Sequence, residues 1–378
     1  MNKHVIRHVL PRPGRIRELL EYVAKIHSTR LDRSRPLWEA HLVEGIEGDR
    51  FALCTKLHHA AFDGVNMARH LLGGLSTDPT ATTCTAPWIE SGRQRSTSPA
   101  NPPASASPVG RIVDIGKAAA STADAVARAG WSSVRERDLA VPLAAPDSIF
   151  NGRIDSSRRF AGDAWPIQRL RAVAKQTGTT LNDVAMTMCA GALRGYLTER
   201  DSLPTRSLVA MVPVSLAGTD ARGTPTDGNA FGAALCSLGT DLDAPLARLE
   251  TIHQQMARNK ALMSGLDPTT AALYSTANMT PSLLASLPGV PRIPRQGFNL
   301  VISNVPGINK QLYYNGCPLT ALYPVSIVLD RQGLNMTMIS YLDTLAFGFV
   351  GCARQVPHLQ RLLIHLDNAI ADLEKAAT

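Results

Sequence analysis

Apolar positions along the chain change period several times, and each change predicts an element. Val5-Ile6-Arg7-His8-Val9-Leu10 alternates as a strand does, and Pro11-Arg12-Pro13-Gly14 turns it into a helix running to about Ser28. Strands are predicted over Leu37 to Ile46 and Arg50 to Leu57, with an acidic, glycine-containing turn between them. A helix over residues 65–72 is closed by Gly73-Gly74. From Ser76 to Pro108 the text becomes Thr, Ser, Pro and Ala, the composition of a linker. Ser107-Pro108 then reads as a helix start. Behind it, Ile112, Ile115, Ala119, Ala123, Val126, Gly130 and Val134 recur at three- and four-residue intervals, with arginines and lysines on the remaining positions.

A second run of elements begins near Phe150. Helices are predicted over Trp165 to Lys175, Asn182 to Arg200, Leu242 to Lys260 and Val356 to Lys375. The second of these carries Val184, Met188, Gly191, Ala192 and Gly195 on one narrow face, suited to close packing. Strands are predicted at Leu208–Val214, Phe231–Leu238, Phe298–Ser303, Ala321–Leu329, Leu334–Tyr341 and Leu345–Val350. The expected organisation is a first lobe over 1–75, a linker and basic amphipathic helix over 76–149, and a second lobe over 150–378. Together these give an α/β fold with mixed sheets.

Composition narrows the classes. With 378 residues, 44% apolar and 19% charged, the chain can bury a large core. The net charge of +8 favours anionic partners. Its arginines are scattered, with no aromatic-basic stripe of the kind that binds nucleic acid. Anionic lipid surfaces or coenzyme phosphates fit better. The six cysteines show no paired spacing and read as reduced residues of a cytoplasmic protein. No secretory leader and no run of about eighteen apolar residues is visible. Contact with a membrane would therefore be peripheral, through residues such as Arg128, Arg135 and Arg137 on the 108–137 segment. The same segment could instead pack its alanine-rich stripe on the second lobe.

The chemistry concentrates in His58-His59-Ala60-Ala61-Phe62-Asp63-Gly64, at the end of the strand Phe51 to Leu57. An imidazole titrating near neutrality at a strand end is suited to general-base work. Adjacent strand residues face opposite ways, so only one of the two histidines can face a given pocket and a metal site is not expected. Asp63 can fix the turn, and Gly64 lets the backbone approach closely. No Gly-x-Ser-x-Gly elbow offers a serine nucleophile.

This heptad resembles the active-site motif of the acyltransferases related to chloramphenicol acetyltransferase. Three flanking stretches narrow the resemblance: Pro36-Leu37-Trp38, Asn182-Asp183 and Ser303-Asn304-Val305-Pro306-Gly307. With these, the chain is similar to the bacterial wax ester synthase/diacylglycerol acyltransferase family over nearly its whole length. The resemblance implies a two-lobed fold with the active site in a tunnel between the lobes. It implies that His59 is the base for transfer of a long-chain acyl group from acyl-CoA to diacylglycerol or a fatty alcohol. Acyl-CoA is then a substrate, and no cofactor or metal is implied. His58 would support the strand end and Asp63 the turn. Asn182 either caps a helix or brings an amide to the reacting centre. Ser303 or Asn304 either donates to the oxyanion or merely makes a turn. Pro36, Leu37, Trp38 and Asp183 read as structural. The family's opening segment has no counterpart before Val5, which reads as a mis-called start or a fragment, the other reading being a degenerate enzyme; in the final strand-to-helix connection, Cys352 follows Val350-Gly351 where family members often carry an acidic residue. The implied location is the cytoplasmic side of a membrane or the surface of a lipid droplet. A transferase using a carrier-bound acyl group, or a non-catalytic lipid-binding homologue, remains as an alternative.

Overall fold

The computed structural model describes residues 4–58, 71–82, 143–215, 231–266, 268–285 and 296–378. The expected linker and helix between residues 83 and 142 lie outside them, as does most of the helix expected over 65–72.

The first lobe follows its hydrophobic pattern closely. β1 (Val5–Val9) runs parallel to β2 (Trp38–Ile46), which pairs antiparallel with β3 (Arg50–Leu57). Between β1 and β2 the chain forms α1 (Ile16–Ser28), in which Leu19 and Val23, four residues apart, are buried. Those two side chains join Leu10, Val43 and Ile46 in a cluster that also takes Phe160, Val328 and Val350 from the second lobe. The lobes are thus joined by a shared apolar core. A hydrogen bond from Arg158 N to Ser28 Oγ, 2.9 Å, ties the end of α1 to the same junction.

The second lobe is a six-stranded mixed sheet in the order β4-β11-β10-β7-β5-β6. Its strands are β4 (Arg158–Pro166), β5 (Val209–Ser215), β6 (Phe231–Ser237), β7 (Leu300–Ile308), β10 (Leu334–Tyr341) and β11 (Thr344–Cys352). Pairs β7–β10 and β5–β7 are parallel, and the rest are antiparallel. A short hairpin, β8 (Tyr313–Tyr314) with β9 (Cys317–Pro318), stands apart. The helices are α2 (Ile167–Thr177), α3 (Leu181–Thr198), α4 (Pro245–Ser264), α5 (Pro268–Ala285) and α6 (Arg361–Ala377).

One face of this sheet carries Leu300, Ile302, Leu334, Met336, Met338, Phe347 and Phe349, all buried with side chains of α2, α3, α4 and α6. The narrow face expected on α3 does pack closely. A Cβ on Gly191 would stand 2.7 Å from Ala369 Cβ, and one on Gly195 would stand 2.7 Å from His365 Nδ1. The opposite face meets the first lobe at Phe160 and Val350. Further along that face, Val305, Ile339 and Ala346 pack with Leu322 and Tyr323.

Several sequence expectations are corrected. Ala321–Leu329 is extended but joins no ladder, apart from an isolated bridge from Leu329 to Gln332. It crosses the sheet face instead of extending the sheet, and Pro324 has no N–H to offer a neighbour. That crossing is tight, since a Cβ on Gly348 would lie 1.8 Å from the Pro324 carbonyl oxygen. The helix expected from Trp165 begins at Ile167, because residues through Pro166 form β4, an unexpected edge strand. α5 was also unexpected, and α4 and α6 start at Pro245 and Arg361 instead of Leu242 and Val356. The stretch Ser303 to Gly307 is the body of β7, not a turn. Cys352 ends β11 and is buried, its Sγ 3.5 Å from Asp155 Oδ1. Among the described residues the cysteines are free thiols, and burial pushes Cys54 up to about 11.

The junction carries a titratable group. Burial, then the positive charges of Arg158 and Lys56, push His27 down to about 4, against a hydrogen bond to the Ser326 backbone that favours its charged form. The unfolded chain therefore takes up this proton at higher pH than the folded one does. The resulting stability is complete above the ordinary histidine value of about 6.5 and is lost as pH falls toward 4. Urea unfolding should show a loss on the order of 3 kcal/mol across that window. His27→Gln should flatten the slope, and an unchanged slope would assign the acid sensitivity elsewhere.

Candidate active site

Strand β3 delivers the motif. His58 follows its last residue, and His58 N donates to the Leu37 carbonyl at 3.0 Å, extending the β2–β3 ladder by one bond. The Pro36-Leu37-Trp38 stretch and the first motif histidine are therefore direct neighbours. Leu37 and Trp38 are half-buried and Pro36 is exposed. Trp38 stacks on His4 with ring centroids 4.6 Å apart, and His4 Nδ1 donates to the Trp38 carbonyl at 2.8 Å. His59, Asp63 and Gly64 lie outside the described residues.

The strand end is anchored on two sides. Lys56 Nζ donates to the carbonyls of Ile26, at 2.9 Å, and Thr29, so β3 holds the end of α1 just before the motif begins. Beside Lys56 lies a polar group that sequence reasoning missed. His41 is buried, 2.9 Å from the Tyr22 hydroxyl through Nδ1 and 3.5 Å from Glu39 Oε2 through Nε2. At that distance the Glu39 contact is electrostatic, and among the described residues Nε2 makes no hydrogen bond. Burial pulls His41 below the usual histidine range, with Glu39 opposing, and burial likewise pulls Lys56 down. His8 stacks on Tyr22 at 3.9 Å. The alternation of His41 with Glu39 on one strand was the only available signal, and it is ordinary for a half-buried strand.

The second lobe brings two expected residues together and separates two others. Asn304 Nδ2 donates to Asn182 Oδ1 at 3.1 Å, joining β7 to the first turn of α3. Ser303 and Asn304, being adjacent in a strand, face opposite sides of the sheet. Ser303 pairs in register with Thr337, and Asn304 with Met338, whose side chain is in the helix-side core. Ser303 thus belongs to the face turned toward the first lobe. There it accompanies two buried polar residues not anticipated from sequence, Asn335 and Thr337, bonded Thr337 Oγ1 to Asn335 Oδ1 at 2.8 Å. Their alternation with Leu334, Met336 and Met338 is legible in the sequence as one polar face on an otherwise apolar strand.

Asp183 has the capping role. Thr180 Oγ1 accepts from Asp183 N at 3.2 Å, and Asp183 Oδ2 accepts from Thr180 N at 3.0 Å, a reciprocal capping box. Its carboxylate is buried and also lies 2.8 Å from His253 Nδ1 of α4, another residue the sequence did not single out. The pair therefore divides its work: Asp183 fixes the helix start, and Asn182 is carried to Asn304.

Among the described residues no group of three histidine, cysteine or carboxylate side chains is placed to hold a metal. Likewise no helix among them is long and apolar enough to cross a membrane.

A three-stranded lobe and a six-stranded lobe that share one apolar core give the two-lobed fold of the chloramphenicol acetyltransferase type. The models of the wax ester synthase/diacylglycerol acyltransferase catalytic domain and of the WS/DGAT C-terminal domain match residues 1–185 and 227–374, and the chain belongs to that family. It is 42% identical over 373 residues to a probable diacyglycerol O-acyltransferase of Mycobacterium tuberculosis, covering 99% of this chain and 81% of that protein. It is 41% identical to the O-acyltransferase WSD of Acinetobacter baylyi, covering 97% of this chain and 80% of the other. The wax ester synthase/diacylglycerol acyltransferase from Marinobacter aquaeolei VT8 superposes with a TM-score of 0.76 at 37% identity, over 100% of this chain and 80% of that one. The first condensation domain of the CDA synthetase shares the fold alone, with a TM-score of 0.51 at 17% identity.

The division of labour at α3 predicts unequal costs. Asp183→Ala removes the carboxylate half of the box and the partner of His253, while the residue-183 N–H can still donate to Thr180 Oγ1, and should cost about 1–3 kcal/mol. His253→Ala should cost about 1 kcal/mol or less, since its side chain is 35% exposed and solvent screens the pair. Urea unfolding of both variants checks this. Equal losses would show that the ion pair, not the capping box, holds the helix start.

Proposed function

We propose that this O-acyltransferase moves a long-chain acyl group from acyl-CoA to the free hydroxyl of diacylglycerol, and to fatty alcohols, with His59 as the general base. The observation that carries the reading is the placement of the motif's first residue. His58 lies at the end of a strand bonded to Leu37, two residues beyond the Lys56 that holds α1 at the lobe junction. The relatives described above bear names for this activity and span most of the same length.

The reaction needs no covalent enzyme intermediate. His59 takes the proton of the acceptor hydroxyl as that oxygen attacks the thioester carbonyl. The carbonyl oxygen becomes an oxyanion, which a hydrogen-bond donor stabilises. Collapse breaks the carbon–sulfur bond, and the CoA thiolate leaves with the proton from His59. Asn182 and Ser303 are the candidate donors, from different sides of the sheet. Ser303 has the polar surroundings of Asn335 and Thr337 on the face turned to the first lobe. Among the described residues Asn182 Nδ2 is engaged only by Met186 Sδ at 3.6 Å, a weak acceptor. His58 supports the strand end, and Asp63 with Gly64 shapes the turn.

Purified protein given labelled palmitoyl-CoA with diolein or hexadecanol tests the activity, with the lipid products separated. His59→Ala should lower ester formation about a hundred- to ten-thousand-fold, and His58→Ala far less. Wild-type rates in His59→Ala would end the general-base assignment. A wild-type chain that forms no ester would favour the non-catalytic reading.

The acceptor lives in lipid, so the enzyme must work at a surface. The basic segment 108–137 is the proposed contact, each cation near an anionic surface contributing about 1 kcal/mol. Flotation with vesicles should rise with anionic lipid and fall with salt. Replacing Arg128, Arg135 and Arg137 by Gln should weaken it. Undiminished flotation would move the contact elsewhere.

A further inference from the structure

A cleft of about 520 Å³ opens at the lobe junction, where the last turn of α1 meets the approach to β4. Its walls carry Arg30, Arg153 and Arg158, with His27 and the carboxylates of Asp155 and Asp330. Both carboxylates have one oxygen engaged by the protein and stay charged, and three arginines against these two leave the walls net positive. Asp155 Oδ1 accepts from Ser157 N at 2.9 Å and from the Ser157 hydroxyl, and lies near Cys352 Sγ. Asp330 Oδ1 accepts from Ile154 N at 3.0 Å.

The arginines are not engaged in the same way. Arg158 turns its guanidinium back on the carbonyls of Asp155 and Ser157. Arg30 and Arg153 are exposed, and among the described residues neither guanidinium meets a carboxylate or a carbonyl. A helix C-terminus would ordinarily repel an anion. Here the carbonyls of Ile26 and Thr29 are taken by Lys56, which adds a further positive charge. Burial is the main cause of the low proton affinity of His27, and the positive charges of Arg158 and Lys56 add to it.

Resting on the acyl-CoA reading above, we propose that this cleft anchors the phosphates of the CoA donor, with Arg30 and Arg153 gripping its 3′-phosphomonoester. A guanidinium presents a planar fork of donors matched to phosphate oxygens. The long pantetheine arm separates these phosphates from the thioester. An anchor at the surface is therefore compatible with a thioester inside, near the strand end that Lys56 ties to the cleft. A phospholipid headgroup offers the same phosphate chemistry, so the test must separate the two sources.

The full chain is used throughout, as wild type, Arg30→Gln/Arg153→Gln, Arg30→Lys/Arg153→Lys, and Arg17→Gln as a control on the solvent side of α1. KM is measured with palmitoyl-CoA and palmitoyl-dephospho-CoA, and Kd for CoA and dephospho-CoA by calorimetry. Wild type should favour the 3′-phosphorylated forms about tenfold or more, as expected for charge-assisted bonds. The double glutamine variant should lose that preference with its melting temperature unchanged. The double lysine variant should regain part of it, and the control should match wild type. A double glutamine variant that keeps the full preference overturns the site. So does one that loses flotation on phosphatidylglycerol vesicles while still discriminating dephospho-CoA, which assigns the cleft to headgroups. A wild type that neither forms ester from palmitoyl-CoA nor binds CoA overturns the donor assignment itself. An active wild type with unchanged variants overturns only this cleft.

Discussion

Among the described residues, the second lobe's own helices α2, α3, α4 and α6 cover one face of the six-stranded sheet, and the other face must still be kept from water. That requirement fixes the rest of the structure. Phe160, Val350, Ile339 and Val305 would form an exposed apolar patch if the first lobe and the 319–328 segment were lifted away. At roughly 25 cal/mol per Å² of apolar area removed from water, covering these side chains contributes several kcal/mol. The two lobes are therefore one folding unit at their seam. Any cavity between them is bounded by a sheet face on one side and by α1 and β3 on the other.

Polar side chains on such a face are costly unless they are bonded or used. Asn335 and Thr337 satisfy each other in part, and Ser303 stands beside them in register. Apolar residues on the same strands seal the rest of the face against α1 and Tyr323. Polar positions thus interrupt an otherwise apolar face. Gly348 has a different reason: the Pro324 backbone runs so close that no side chain fits.

The first lobe was legible almost residue for residue because its strands alternate and its turns carry Gly, Pro and Asp. The second lobe was harder, and the reasons are particular. Pro306 and Gly307 read as a turn, yet both sit inside β7. The register of β7 on β10 shifts between Val305 and Ile308, and a proline is tolerated at such an irregularity. Gly307 is needed because a Cβ there would fall 1.5 Å from the Ser340 carbonyl oxygen. Conversely, Ala321–Leu329 alternates well but forms no ladder among the described residues, since alternation reports two environments and not a ladder. β4 was missed because Arg158, Arg159 and Asp163 on an edge strand dilute its apolar signal. For the site, the resemblance named Asn182, Asp183, Ser303 and Asn304 together, and nothing in their spacing says which of them meet. Tertiary partners such as His253, seventy residues from Asp183, leave no local trace.

The adjacency of Asn182 and Asp183 follows from helix geometry. Asp183 at the third helical position can reach back to the Thr180 backbone, which only a first-turn carboxylate does well. That bond fixes the rotation of the first turn about the helix axis, and so fixes the direction of the preceding side chain. Asn182 is then aimed at β7, where Asn304 receives it. A loss of the cap would change the aim of Asn182 without touching Asn182 itself. In the same way Lys56 acts on the strand end through α1 and not through any reacting atom. The residues proposed for the site are thus held by neighbours: Asp183 fixes the start of its own helix beside Asn182, and Lys56 ties β3 to the end of α1 two residues before His58.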